Sequence, residues 1–212
     1  MMNVMKKRMT PQFSSEPQAV SFNDDLREYR LEGMAFGRET CTRDLAGKEF
    51  YECTFTDVTF TGRMRGSVFA DAVFSHCDLS NTDLREAVFR RVIFDHCRLM
   101  GTDCTESRFE DTAFVSCQCM YAGFGGSHWQ RTLLEDSSLR EVSFSLCKFR
   151  DAEIRSCDFT GAEFANTKLA GLDLSDSTIA GILCEAEGLR GVIVNPEQAA
   201  AIVGLLGIIV KY

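Results

Sequence analysis

The stretch from Ser67 to Phe89, SVFADAVFSHCDLSNTDLREAVF, decides the fold because it repeats every five residues. A bulky apolar residue occupies each fifth position, and a small residue stands two positions before it. An α-helix, with about 3.6 residues per turn, would spread these apolar residues around its circumference. A β-strand would turn alternate ones to opposite faces. The period instead predicts a coil whose sides are five residues long.

The same frame runs without a slip from Met64 to Val194, and it persists upstream after four-residue steps that follow Cys41 and Phe60. We expect the apolar centre and the small residue of each pentad to point inward. Four pentads then close one square coil, so that each residue lies above the residue four pentads before it. The predicted interior ladder consists of Phe69, Phe89, Phe109, Trp129 and Phe149. A second ladder, at the small position, consists of Cys77, Cys97, Cys117 and Cys157.

These residues resemble the pentapeptide-repeat family, whose pattern places a small residue two before a central Phe or Leu; residues 77–89, CDLSNTDLREAVF, match it closely. The resemblance implies an all-β fold, a right-handed quadrilateral β-helix. The chain has 212 residues and is 45% hydrophobic, which suits one core. We expect residues 1–20 to be disordered, residues 21–195 to form the β-helix, and residues 196–212 to form a cap and dimerisation element.

The C-terminal segment leaves the pentad and reads as a helix followed by a short strand, LGIIV. Asn195 is a favourable N-cap, Pro196 suits the first helical position, and Glu197 suits the positive end of the helix dipole. The segment either closes the open end of the solenoid or forms a dimer interface. The dimer is favoured by the absence of charged residues between Glu197 and Lys211. The predicted dimerisation residues are Ala199, Ile202, Val203, Leu206 and Ile208.

The net charge of −8 makes direct binding to nucleic acid unfavourable and a basic protein surface the more suitable partner. Acidic residues concentrate between residues 151 and 187, where only Arg155 and Lys168 oppose them. We interpret six of them as a binding surface: Asp151, Glu153, Asp158, Glu163, Asp173 and Asp176. Two chains joined at their C-termini would make a rod of about 80 Å, taking about eight coils each at about 4.8 Å per coil. The alternative is that these acids only keep the solenoid in solution.

Residues 189–208, LRGVIVNPEQAAAIVGLLGI, carry a narrower resemblance to the Qnr and MfpA group of topoisomerase-protecting proteins and to the albicidin-resistance pentapeptide protein. This resemblance implies a homodimer that binds DNA gyrase or topoisomerase IV, imitates DNA, and shields the enzyme from quinolones or other poisons. The uninterrupted frame lacks the two loops of plasmid-borne Qnr proteins. The alternative function is a non-enzymatic scaffold with another partner, for which Tyr121, Gly125 and Gly126 are a candidate contact patch.

Neither catalysis nor a cofactor is predicted. All ten cysteines fall on inward positions, where we interpret them as core filler, reduced in a cytoplasmic protein. The pairs His76–Cys77 and His96–Cys97 are not predicted to bind metal, because adjacent residues of a coil point to opposite sides of its wall. No nucleophile stands beside a base. With no apolar run of membrane-spanning length and no signal-peptide core after MKKR, we expect a cytoplasmic protein.

Overall fold

Each five-residue repeat forms one wall of a four-sided coil, and the coils stack into a parallel β-helix of about seven turns that ends in one short helix. The computed structural model describes residues 7–24 and 26–205. We number the walls by their central residues in one coil: wall 1 contains Phe69, wall 2 Phe74, wall 3 Leu79 and wall 4 Leu84. The predicted fold class is confirmed, with about seven turns where we expected eight.

The strand register confirms the predicted coil lengths. Phe69 pairs with Phe89, and Phe109 with both Phe89 and Trp129, so one coil spans four full pentads. Lower in the stack, Phe50 pairs with Leu31 and with Phe69, and each of these coils is one residue shorter. The shorter coils each contain one of the predicted four-residue steps. Every pairing between strands is parallel, as stacking in one direction requires.

The strands are short because one wall holds only five residues, and most of them lie on walls 1 and 2. Two longer strands, Val68–Ser75 and Val88–Asp95, continue round the corner from wall 1 to wall 2. On walls 3 and 4, successive coils are joined mainly by isolated bridges, such as the one between Asp103 and Gly123. The strands are β1 Gln18–Ala19, β2 Arg30–Glu32, β3 Met34–Gly37, β4 Thr40–Cys41, β5 Glu49–Tyr51, β6 Thr54–Thr56, β7 Thr59–Phe60, β8 Val68–Ser75, β9 Val88–Asp95, β10 Arg108–Glu110, β11 Ala113–Val115, β12 His128–Gln130, β13 Leu133–Glu135, β14 Lys148–Arg150 and β15 Glu153–Arg155.

Aromatic rings stack along the inside of the coil. The ring centroids of Phe89 and Phe109 are 5.0 Å apart and those of Phe109 and Trp129 are 4.3 Å apart. The Trp129 indole N–H donates to Ser127 Oγ at 2.7 Å, so the one polar atom of this ladder is satisfied. Phe149 departs from the prediction and is only half-buried, because its strand, β14, has no following strand on wall 1 in the described residues.

The cysteines follow the predicted inward pattern, with one exception. Nine are buried, but Cys184 is half-exposed. It precedes residues 185–190, where the pentad coil gives way to turns and Gly188 N–H bonds to Glu185 C=O. These turns interrupt the coil only locally, because Ile193 bridges Asp173 one full coil below it and the predicted frame continues to the start of the helix.

Corner residues turn the chain with a positive φ and carry their side chains outward. The corner between walls 1 and 2 is occupied in successive coils by Asp71, Arg91, Asp111, Arg131 and Asp151, with φ between 51° and 54°. A non-glycine residue in this left-handed region is uncommon, and it is tolerated here because the four-sided coil requires the turn. Charged side chains are thereby brought above one another.

The C-terminal helix, α1 Pro196–Leu205, begins where the sequence predicts. Asn195 is its N-cap: Gln198 N–H donates to Asn195 Oδ1 at 2.9 Å, and Asn195 N–H donates back to Gln198 Oε1 at 2.8 Å. The Gln198 amide also donates to the carbonyls of Leu174 and Ser177 at 2.8 and 2.6 Å. The helix therefore caps the last coil.

The N-terminal segment differs from the expected disorder over its described part. Residues 7–14, which we call the strap, run along the corner between walls 1 and 2. Met9 N–H donates to Asp111 Oδ1 and Gln12 N–H to Asp71 Oδ1, both at 3.0 Å. Three extended residues span about 10 Å, which matches two coils at about 4.8 Å each. Residues 18–19 then join the sheet as β1.

The described part of the chain contains no helix with the length and apolarity needed to cross a lipid bilayer.

Candidate interaction surface

The six acids predicted to bind a partner all lie outside the core, but they do not share one wall. Asp151 occupies the corner between walls 1 and 2, and Glu153 and Asp173 stand on wall 2. Asp158 stands on wall 3 and Glu163 on wall 4. The sixth acid, Asp176, follows wall 2 at its corner with wall 3. The rod is therefore acidic on several sides at its C-terminal end.

Three of these six acids are close to basic side chains. Asp158 lies 3.1 Å from Arg140, Asp151 lies 4.0 Å from Arg150, and Glu153 pairs with Arg155. Within residues 7–24 and 26–205, Glu163, Asp173 and Asp176 have no ion pair. Unpaired exposed carboxylates have the larger field at a distance, since no neighbouring cation cancels their charge.

Asp136 joins this set although it lies outside the acidic window of the sequence. It shares a shallow groove with Asp158 and Asp176, at the corner between walls 2 and 3. It is exposed and, among the described residues, has no ion pair. The signal that finds it is the coil period, because Asp136 lies two full coils before Asp176. We call Asp136, Glu163, Asp173 and Asp176 the C-terminal acid group.

Local hydrogen bonds keep the neighbouring carboxylates ionised. The hydroxyl and the backbone N–H of Ser175 lower the pKa of Asp173. Partial burial opposes ionisation of Asp158, but hydrogen bonds from Thr160 and Arg140 outweigh it and lower the pKa of this residue as well. Both carboxylates therefore remain charged at neutral pH.

Wall 1 carries the opposite charge on its outer surface. Arg108 and Lys148 lie on either side of His128 in the strand register, and all three are exposed. Arg90, in the coil below Glu110, lies 3.5 Å from that carboxylate. A partner that seeks negative charge would therefore approach walls 2 to 4 and avoid wall 1.

The strap lies across the part of wall 2 that precedes the acidic coils. In each pentad, the residue directly before the central residue points outward. Ala113 and Leu133 occupy this position, yet they are only 1% and 7% exposed. The strap residues Lys7, Arg8 and Thr10 border the same cleft as Leu133. The cleft also contains Asp151, Glu153 and Arg155, so the strap places positive charge beside two of the six predicted acids. No sequence period predicts this contact.

Wall 4 has a smooth apolar-edged surface near mid-chain. Gly123 and Ser143 are bridged in register, and with Gly125 and Ser145 they leave the centre of this wall without large side chains. Tyr121 and Leu146 stand at its two edges in adjacent coils and are 61% and 62% exposed. Of the predicted patch, Tyr121 is thus strongly exposed, whereas Gly125 and Gly126 are half-exposed. Leu146 was not predicted.

Three of the predicted dimerisation residues belong to the described part of α1. Ala199, Ile202 and Val203 are half-buried, and Ile202 packs against the core. The two others, Leu206 and Ile208, and the predicted strand LGIIV lie outside the described residues. The dimer remains a prediction.

Comparison with known proteins gives one match to a family model and several matches to solved structures. Residues 67–144 match the family model described as a pentapeptide repeat region. A trypsin-treated form of QnrB1, a plasmid-mediated fluoroquinolone resistance protein, is 22% identical over 92% of this chain and 98% of its own, with a TM-score of 0.45. HetL, a pentapeptide repeat protein involved in heterocyst differentiation regulation from Nostoc sp. strain PCC 7120, is 15% identical over 78% of this chain and 89% of its own, with a TM-score of 0.45.

No curated protein sequence matches the chain. The two structural matches are too distant to assign a function. The match to the family model coincides with the most regular part of the coil, where every turn spans four full pentads. Residues 67–144 are therefore similar to a pentapeptide repeat region, and coils of the same four-walled geometry extend beyond them.

Proposed function

We propose that this chain is a non-enzymatic, cytoplasmic protein that binds DNA gyrase or topoisomerase IV and protects the enzyme from quinolone-type or other topoisomerase poisons. The observation that carries the proposal is the C-terminal acid group, Asp136, Glu163, Asp173 and Asp176. These four carboxylates are exposed and, in the described part of the chain, without ion pairs.

The acid group suits a basic partner for physical reasons. Its residues stand on outward positions that the coil does not need for folding, and they face three directions around a rigid rod. A DNA-binding surface presents basic side chains spaced to meet phosphates, and carboxylates on a rod offer it similar charges. Complementary charge of this kind raises the association rate more than it raises affinity.

The choice of topoisomerase as the partner rests on the resemblance of residues 189–208 to the topoisomerase-protecting group. In that reading α1 joins two chains, and the acidic coils of both lie next to the junction. A homodimer would then present an acidic centre and two less acidic arms.

A supercoiling assay tests the proposal directly. Purified protein is titrated into gyrase with relaxed plasmid, with and without a quinolone. We expect the protein to restore supercoiling in the presence of the drug. The proposal would be wrong if the protein restored supercoiling at no concentration and bound neither gyrase nor topoisomerase IV.

Wall 4 favours a second candidate, a scaffold that binds another protein. Tyr121 and Leu146 are large, strongly exposed hydrophobic residues at the edges of a smooth wall. Aromatic anchors of this kind contribute disproportionately to protein interfaces. The scaffold would be favoured if Tyr121→Ala combined with Leu146→Ala abolished binding of the partner protein, while neutralising the acid group had no effect on that binding.

A further inference from the structure

We propose that His76, Asp95 and His96 form a binding site for a late first-row divalent cation such as Zn²⁺. The three side chains lie at the corner between walls 2 and 3, outside the coil. One potential ligand atom from each lies within 4.8 Å of the others. Nothing in the proposed topoisomerase interaction uses these residues.

The coil itself brings the three groups together. His76 and His96 are four pentads apart and occupy the same corner of adjacent coils, with φ of 55° and 52°. Their ring centroids are 5.1 Å apart. Asp95 directly precedes His96, and its Oδ1 lies 2.8 Å from His96 Nδ1. The corner turn thus projects two imidazoles and one carboxylate towards the same space.

The chemistry of this ligand set matches zinc and its neighbours. Neutral imidazoles and a carboxylate are ordinary zinc ligands, at about 2.0–2.2 Å from the metal. Ligand atoms in a tetrahedral site of that size lie about 3.4 Å apart. The largest separation between ligand atoms, at most 4.8 Å, therefore has to close by up to about 1.4 Å to reach this geometry, which rotation of exposed imidazoles allows. Water would complete the coordination, so the cation would link two coils without a fourth protein ligand.

The cysteines next to these histidines take no part. Cys77 and Cys97 point inward, and their thiols approach the carbonyls of Phe55 and Phe74 at 3.3 and 3.4 Å. The site therefore differs from the four-ligand set of His76, Cys77, His96 and Cys97, which the inward direction of the thiols rules out. Asp95 supplies the third ligand instead, because it precedes the corner and lies on the outer surface.

Titration calorimetry with Zn²⁺ tests the site, using the full-length protein without a histidine tag. The chain has only three histidines, so His128 provides a matched control. It is exposed, lies on wall 1, and has no part in the cluster. We expect one Zn²⁺ per chain, unchanged binding in His128→Gln, and affinity reduced by a factor of about ten or more in His96→Gln and in Asp95→Asn.

A thermal scan provides the second readout, because a ligand that binds only the folded state raises Tm. Zn²⁺ should raise the Tm of the wild type and of His128→Gln, but not that of His76→Gln combined with His96→Gln. Circular dichroism confirms that each variant is folded. No zinc binding by the wild type, or equal affinity in the His96→Gln and His128→Gln variants, would overturn the proposal.

Discussion

In many pentads the small inward residue is Ser, Thr or Cys, which fills space and also donates a hydrogen bond. Thr102 Oγ1 donates to the Leu79 carbonyl at 2.7 Å, and Cys97 Sγ approaches the Phe74 carbonyl at 3.4 Å. Each acceptor is the central residue of the coil below. The repeat therefore favours Ser, Thr and Cys at this position because they combine small volume with a donor, which alanine lacks. These residues therefore fill the core, as predicted for the cysteines, and they also hold successive coils together by hydrogen bonds.

The aromatic ladder determines how a core substitution acts. Phe109→Ala removes the ring between Phe89 and Trp129, and neither neighbour can move inward without breaking its own stack. We expect the free energy of unfolding to fall by about 3–5 kcal/mol, as for other buried Phe→Ala changes. Urea denaturation measures it. Arg108→Ala is the control, since its exposed side chain should contribute less than about 0.5 kcal/mol. Equal effects from the two variants would show that the ladder does not hold the coil.

A buried ion pair at the corner of walls 1 and 2 makes stability depend on pH. Asp111 is 0% exposed, and Arg131 Nε donates to its Oδ1 at 2.8 Å. Burial opposes ionisation of Asp111, but hydrogen bonds from Arg131 and the strap outweigh it and lower its pKa. A lowered pKa in the folded state stabilises the fold above the ordinary pKa of aspartate, about 3.9, and this contribution is lost as the pH falls through the folded-state pKa.

Asp111→Asn tests this linkage. At pH 7 the variant should lose about 2 kcal/mol of unfolding free energy, the typical value of a hydrogen bond to a charged group. The difference from the wild type should shrink as the pH falls below about 3.9. Denaturation at several pH values measures both. A difference that stays constant with pH would mean that the ionised Asp111 does not stabilise the fold.

Among the structural elements, the strap is the one that the sequence does not reveal. The ladder and the helix N-cap were predictable because spacing and residue type encode them locally. The strap has no period, and its acceptors Asp71 and Asp111 lie 59 and 102 residues away. The coil period places Asp71 and Asp111 at one corner, but only the three-dimensional structure shows a chain crossing it.

Deletion of residues 1–16 should expose the outer surface of wall 2, where Ala113 and Leu133 are now buried. We expect a lower Tm and new binding of a hydrophobic dye such as ANS, because an apolar stripe loses its cover. Deletion of residues 1–6 alone is the control and should change neither. A 1–16 deletion variant with wild-type Tm and no dye binding would contradict the role of the strap as a cover.

At the other end, Gln198 holds the helix on the last coil. Its amide donates to the carbonyls of Leu174 and Ser177, so that one side chain joins the helix to the last coil at two points. Gln198→Ala should therefore lower the free energy of unfolding by about 1–3 kcal/mol. Glu197→Ala, at an exposed position of the same turn, is the control. Chemical denaturation compares the two, and a cost no larger than that of the control would show that the helix is held by other contacts.

For the whole molecule, charge is arranged both along and around the rod. Basic residues concentrate on wall 1, whereas the C-terminal acid group occupies wall 2, wall 4 and the corner between walls 2 and 3. The sequence predicts the concentration along the chain, because a window of residues can be counted. The distribution around the rod becomes visible only when each residue is assigned to a wall. That assignment places Glu163 and Asp173 on different walls, and it places Asp136 and Asp176 at the same corner. A DNA-like partner surface is therefore expected on walls 2 to 4.

The most direct measurement of the central claim is the affinity of the protein for gyrase after the C-terminal acid group has been neutralised. The test variant carries Asp136→Asn, Glu163→Gln, Asp173→Asn and Asp176→Asn. A control variant loses four charges elsewhere, through Asp44→Asn, Asp57→Asn, Glu86→Gln and Glu106→Gln, all at exposed positions of the lower and middle coils. Both variants must first have the Tm and the oligomeric state of the wild type.

Surface plasmon resonance at several salt concentrations then compares the three proteins. At about 0.5 kcal/mol for each of four charges, the test variant should bind about 30-fold more weakly than the wild type. Its association rate should also lose most of its dependence on salt, since salt screens exposed charges. The control should remain close to the wild type. Equal affinity of the test and control variants for gyrase, with the same salt dependence, would contradict the claim that the C-terminal acid group is the binding surface.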